Sequence, residues 1–87
     1  MTVDKGSMVP LYEQVAALIL ARIDSGEWPA GTRLPSEPDL SEAYGVSRDS
    51  IRKAARQLAA EGRLMIVRGK GTFVSRPGGP AQLTGPG

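Results

Sequence analysis

Arg48, Arg52 and Arg56 recur at i, i+4 and i+8. At about 100° per helical residue they fall within less than a quarter of a helix circumference. A narrow row of guanidinium groups suits one chemistry above others, hydrogen bonding to base edges and phosphates of a duplex. Lys53 flanks the row, and so does Asp49, so the edge is not purely basic. A second set of cations lies in Arg68-Gly69-Lys70-Gly71, where glycines permit close backbone approach and Lys70 meets phosphate or the negative minor groove. That segment is not a P-loop, which needs G-x-x-x-x-G-K-[ST] between a strand and a helix. The arginine row also fits an ordinary solvated face, and charge alone does not separate the two readings.

Other chemistries are poorly supplied. The 87 residues contain no cysteine and no histidine, which removes disulfides, thiolate ligands and the commonest general base. An enzyme would need a carboxylate or lysine site, and no clustered pair suggests one, so no catalysis, metal or cofactor is expected. No apolar run approaches the ~20 residues of a membrane span, and no signal h-region follows Met1 to Lys5. A cytoplasmic protein with no membrane partner is the expectation.

These residues need elements to hold them. Leu34 to Leu58 reads as two short helices around a tight turn at Tyr44-Gly45-Val46-Ser47. Ser36 is the expected N-cap of the first, with Asp39 completing a capping box and Pro38 in the first turn. Leu40, Ala43 and Tyr44 form its apolar stripe. Gly45 supplies the reversal, Val46 plugs the corner, and Ser47 caps the second helix. Ile51, Ala54, Ala55 and Leu58 give that helix an inner face opposite the arginines. It is expected over about 47–61, stopping at Gly62.

Around this pair the chain supplies scaffold. Leu11, Val15, Leu18, Ile19 and Ile23 predict a core helix from about Pro10 to Ser25, ended by Gly26. Trp28 reads as a lid over its end rather than a ligand platform. Thr32-Arg33-Leu34 is a candidate short strand. Leu64 to Val67 and Thr72 to Ser75 predict a β-hairpin around the glycine-rich tip, with Phe73 and Val74 packed on the core. Residues 1–9 are expected to be disordered, 10–76 to form one small domain, and 77–87, rich in Pro and Gly, to be a flexible linker or tail. The fold class is mainly α with a small β-hairpin: three helices and a two- or three-stranded antiparallel wing. Thr32 to Arg76 holds nine basic and five acidic residues and so carries +4, against −2 for the remainder. A polyanionic partner fits that asymmetry.

The same residues resemble the N-terminal winged helix-turn-helix domain of the GntR family of bacterial transcription regulators. The matching stretches are Pro10-Leu11-Tyr12-Glu13-Gln14, Leu34-Pro35-Ser36-Glu37, Leu40, Tyr44-Gly45-Val46-Ser47-Arg48, Ile51-Arg52, Ala54, Leu58, Glu61-Gly62 and Gly69-Lys70-Gly71-Thr72-Phe73-Val74. The PLYEQ opening is similar to the HutC-like branch, whose second half senses a small molecule.

The resemblance implies that Arg48 and Arg52 read guanine or phosphate. It implies that Ser36, Ser47 and Ser50 bind phosphates and that Gly69 and Lys70 enter the minor groove. The expected DNA-binding set is Arg33, Ser36, Glu37, Ser47, Arg48, Ser50, Arg52, Lys53, Arg56, Arg68, Gly69, Lys70 and Gly71. One departure stands out: the family's arginine after L-P-S-E is Pro38 here, with Arg33 the candidate to compensate. The implied function is sequence-specific binding of pseudo-palindromic operator DNA by a homodimeric regulator, most often a repressor relieved by a metabolite. The sensor domain would follow residue 87, and a piece without it is expected to be monomeric and to bind a half-site weakly. A winged helix that binds protein or RNA is the alternative.

Overall fold

The computed structural model describes residues 3–75, so the expected linker over 77–87 lies outside the described residues. Three helices and a hairpin follow in order: α1 (Leu11–Asp24), α2 (Glu37–Tyr44), α3 (Arg48–Ala60), β1 (Leu64–Val67) and β2 (Gly71–Val74). Each boundary has a local cause. Pro10 precedes α1, and its carbonyl accepts from the N–H groups of Glu13 and Gln14. Gly26, at φ 88°, ends that helix by turning its N–H back to the Ile23 carbonyl.

Ser36 caps α2 by accepting the Asp39 N–H at 3.2 Å. The return half of the expected capping box is absent among the described residues. The box normally uses Glu or Gln at this position, and Asp is one methylene shorter. Gly45 takes the left-handed conformation at φ 68°, and the Ser41 hydroxyl donates to the Val46 carbonyl across the corner. Ser47 then caps α3 by accepting the Ser50 N–H at 3.2 Å.

The core is drawn from all these elements. Val15, Ala16 and Ile19 come from α1, Leu40 and Tyr44 from α2, and Ile51, Ala54 and Leu58 from α3. Trp28, Leu34, Val46, Leu64 and Val74 close it. Burying each large aliphatic side chain contributes about 1.5–3 kcal/mol. Ala43, expected in the stripe of α2, is exposed. A helix of two turns presents one narrow face, and Leu40 and Tyr44 at i, i+4 occupy it. Trp28 does close the end of α1: its N–H donates to the Arg22 carbonyl, and the Arg22 guanidinium lies 4.9 Å from its ring centroid and 5.6 Å from that of Tyr44.

The wing pairs Leu64 with Val74 and Val67 with Gly71 in antiparallel register. Its second strand runs one residue earlier than expected. Phe73 pairs across from half-exposed Met65, on the face opposite buried Leu64 and Val74, so it lies outside the core. The expected strand at Thr32-Arg33-Leu34 is a single bridge, Arg33 to Phe73. The Leu34 N–H donates to Thr72 and the Val74 N–H to Thr32, each at 2.8 Å.

In the segment before α1, where residues 1–9 are expected to be disordered, Gln14 meets the backbone of Asp4 and Val9. The Asp4 N–H donates to Gln14 Oε1, while Gln14 Nε2 donates to the carbonyls of Asp4 and Val9. Val3 packs, half-buried, against the core. These contacts are non-local: Gln14 on α1 satisfies backbone groups that composition alone leaves unpaired.

Candidate nucleic-acid interface

Burial divides α3 lengthwise. Ile51, Ala54 and Leu58 are 2%, 0% and 0% exposed, whereas Arg48, Arg52, Lys53 and Arg56 all face outward. The packed side anchors the helix, so the polar edge is presented on a rigid rod. Arg48 and Arg56 have no ion pair among the described residues, which leaves both free to bind an anion. Lys53 shares Asp49 at i, i+4, 3.5 Å away. An exposed pair of this kind is worth little and yields readily to a phosphate.

Arg52 is held differently. Its Nε donates to Glu37 Oε2 at 3.3 Å and its Nη2 to Glu37 Oε1 at 3.1 Å. That hydrogen-bonded pairing, helped by the Glu37 charge, pushes the guanidinium pKa further above its ordinary value. Glu37, placed among the DNA contacts by sequence reasoning, is thus occupied by a cation of the neighbouring helix. Nothing in the spacing of the chain signals this pair, which joins residues fifteen apart across the turn.

The serines serve the helix termini first. The Ser47 hydroxyl accepts the Ser50 N–H and donates to Ser50 Oγ at 3.2 Å, which leaves the Ser50 hydroxyl proton available to an acceptor such as phosphate. Ser36 accepts the Asp39 N–H and keeps its own proton to donate.

At the wing, Arg68, Gly69 and Lys70 are exposed, and the Lys70 N–H closes the turn onto the Val67 carbonyl at 3.0 Å. Gly69 sits at φ 80° in that turn. Gly71, at φ 124°, is constrained twice: a Cβ there would come within 2.9 Å of Arg33 Nε. Arg33 therefore lies across the base of the wing tip.

The structure gathers Arg33, Ser36, Glu37, Arg68, Gly69 and Gly71 around one cleft of about 420 Å³ between α2, α3 and the wing, floored by apolar residues including Leu40, Ile51 and Ala55. Ser47, Arg48, Ser50, Arg52, Lys53, Arg56 and Lys70 do not line it. They extend the polar surface along α3 and to the wing tip. Half-exposed Ile66 and Thr72 at the cleft rim were not among the expected contacts, and hydrophobic patterning hides them because both read as strand residues.

Residues 11–74 match the family described as bacterial regulatory proteins, gntR family. A histidine utilization repressor of Pseudomonas putida is 45% identical over 74 residues, which cover 85% of this chain and 30% of that protein. The HTH-type transcriptional repressor NagR of Bacillus subtilis is 39% identical over 77 residues, covering 88% and 32%. The chain thus spans about a third of the length of these relatives. Among solved structures, the DNA-binding domain of AraR in complex with operator ORE1 superposes with a TM-score of 0.76 at 38% identity, covering 84% of this chain and 89% of that one. YtrA from Sulfolobus acidocaldarius, a GntR-family transcription factor, gives 0.79 at 32% identity, covering 87% and 80%.

Proposed function

The chain belongs to the gntR family of bacterial regulatory proteins, and from that premise we propose that it reads duplex operator DNA with α3 in the major groove and the wing tip at the minor groove. It is a winged-helix DNA-binding domain of a transcription regulator, not an enzyme. The observation that carries the proposed docking is the division of α3 into a buried aliphatic side and an exposed edge of Arg48, Arg52, Lys53 and Arg56. A recognition helix needs that combination of rigid back and cationic edge.

Within this reading, Arg48 and Arg52 specify bases. Arg33, Ser36, Ser50, Lys53, Arg56 and Arg68 meet phosphates, and Gly69, Lys70 and Gly71 bring the wing against the minor groove. Ser47 orients the first turn of α3. The whole protein would be a cytoplasmic homodimeric repressor on a pseudo-palindromic site, with an effector bound by a further domain. The repressor roles of the relatives support the sign of regulation, and their greater length leaves room for the further domain. Among the described residues no helix is long and apolar enough to cross a membrane.

The test is selection of bound duplexes from a random pool, followed by NMR titration with an enriched sequence. The expected outcome is an enriched motif, with amide shifts concentrated at Ser47 to Arg56 and at the wing tip. A titration that leaves those amides unmoved overturns the docking.

A further inference from the structure

Among the cations on the exposed edge of α3, Arg52 alone is gripped by a carboxylate from another helix in the described residues. The grip is specific about which side of the guanidinium it takes. A guanidinium offers five N–H donors in a rigid fork. Glu37 accepts one from Nε and one from Nη2. Both donors on Nη1 and the second on Nη2 remain, and one from each nitrogen, side by side, forms the end of the fork. Those parallel donors match O6 and N7 of guanine. Asp49 Oδ1 stands 3.9 Å from Nη1, beyond hydrogen-bond distance, so it adds charge without closing that end. Lys53, 3.5 Å from the other Asp49 oxygen, partly neutralises it.

Glu37 is well placed to hold still. It is the first residue of α2, directly after the Ser36 cap, and Pro38 follows it. A carboxylate there is also favoured by the helix dipole. Leu40 of α2 and Ile51 of α3 share the core, so the two helices supporting the pair are packed as one body.

We propose that Glu37 is a positioning residue that selects which edge of Arg52 faces the groove, and thereby sets a guanine preference at one base pair of the site. This rests on the reading of α3 as the groove-reading helix. It replaces the expected role of Glu37 as a DNA contact. With both its oxygens engaged by Arg52, the carboxylate does not need a base amine, and facing phosphate it would only repel. Fixing the side chain before DNA arrives also removes rotamer freedom that binding would otherwise have to remove.

The experiment uses the chain as it stands, a random duplex pool, and the variants Glu37→Ala, Glu37→Gln and Arg52→Ala, with thermal unfolding confirming the fold of each. Arg52→Ala should abolish guanine preference at a single position, a discrimination of roughly five- to 150-fold. Glu37→Ala should relax that same position and no other, the double variant should lose nothing further, and Glu37→Gln should keep part of the preference through its one carbonyl oxygen. In the free protein, hydrogen exchange at Arg52 Nε should be slower than at Arg48 Nε and should speed up in Glu37→Ala.

Failure to enrich any motif would overturn the DNA reading and this inference with it. An enriched motif whose base preferences survive Glu37→Ala would overturn the inference alone, as would uniform tightening on every sequence. An effect of Glu37→Ala that adds fully to that of Arg52→Ala would show Glu37 touching a base of its own. Equal exchange at the two Nε groups would remove the pair itself.

Discussion

Tyr44 and Ser75 carry buried hydroxyl oxygens with no hydrogen-bond partner among the described residues. For Tyr44, burial raises the phenol pKa, opposed by nearby Arg22 and reinforced by Glu27. The folded state therefore holds this proton more tightly than the unfolded chain does. Its contribution to stability is whole below the unfolded value of about 10 and is lost as pH climbs through the folded value. Tyr44→Phe removes both the orphaned hydroxyl and the titration. It should raise stability by about 1 kcal/mol at neutral pH and flatten the alkaline decline, as read by urea unfolding at pH 7 and above pH 10. Arg22, stacked against both Trp28 and Tyr44, should keep the ring in place in that variant.

Among the elements, the caps carry the clearest consequences. Ser47→Ala removes the acceptor for the first turn of α3 and should cost about 1 kcal/mol of stability, measured by thermal unfolding. It should also weaken duplex binding, because Arg48 begins that turn. Gly71→Ala forces a side chain into φ 124° against Arg33 and should cost about 1–3 kcal/mol. Adding Arg33→Ala should recover only the crowding and leave the backbone cost.

These are also the features the sequence displays best. Ser36, Gly45, Ser47 and Gly62 announce their roles through local backbone chemistry, and all three helices fall where periodicity predicts them. What it concealed depends on partners far along the chain. Ala43 has helical spacing to Leu40, but nothing opposite to bury it. Phe73 alternates onto the outer face because adjacent Val74 takes the inner one opposite Leu64. Gln14 reaches back to Asp4 and Val9, and Glu37 reaches Arg52; neither bond has a local signature.

For the whole molecule, binding should be governed by salt as well as by bases. Cations are spread over α3, the wing and Arg33, so affinity for duplex should fall steeply with ionic strength. Lys70→Ala should reduce the slope of log affinity against log salt by about one unit, with little change in base preference. An unaltered slope would take the wing tip off the phosphate backbone. Arg48→Ala should instead weaken binding to an enriched site far more than to random duplex, as a side chain that reads bases must. Leu58→Ala, wholly buried at the back of α3, should cost about 2–5 kcal/mol and loosen both contacts together.

The hydrogen bonds on either side of the Arg33–Phe73 bridge have a mechanical outcome. They stitch the wing to the short run that leads straight into α2. The two footholds on DNA are then the jaws of a calliper with a welded joint. Inserting one base pair between them, a displacement of about 3.4 Å along the axis, should not be absorbed by bending of the protein. On such a lengthened site one jaw would close on nothing, and Lys70→Ala would cease to matter.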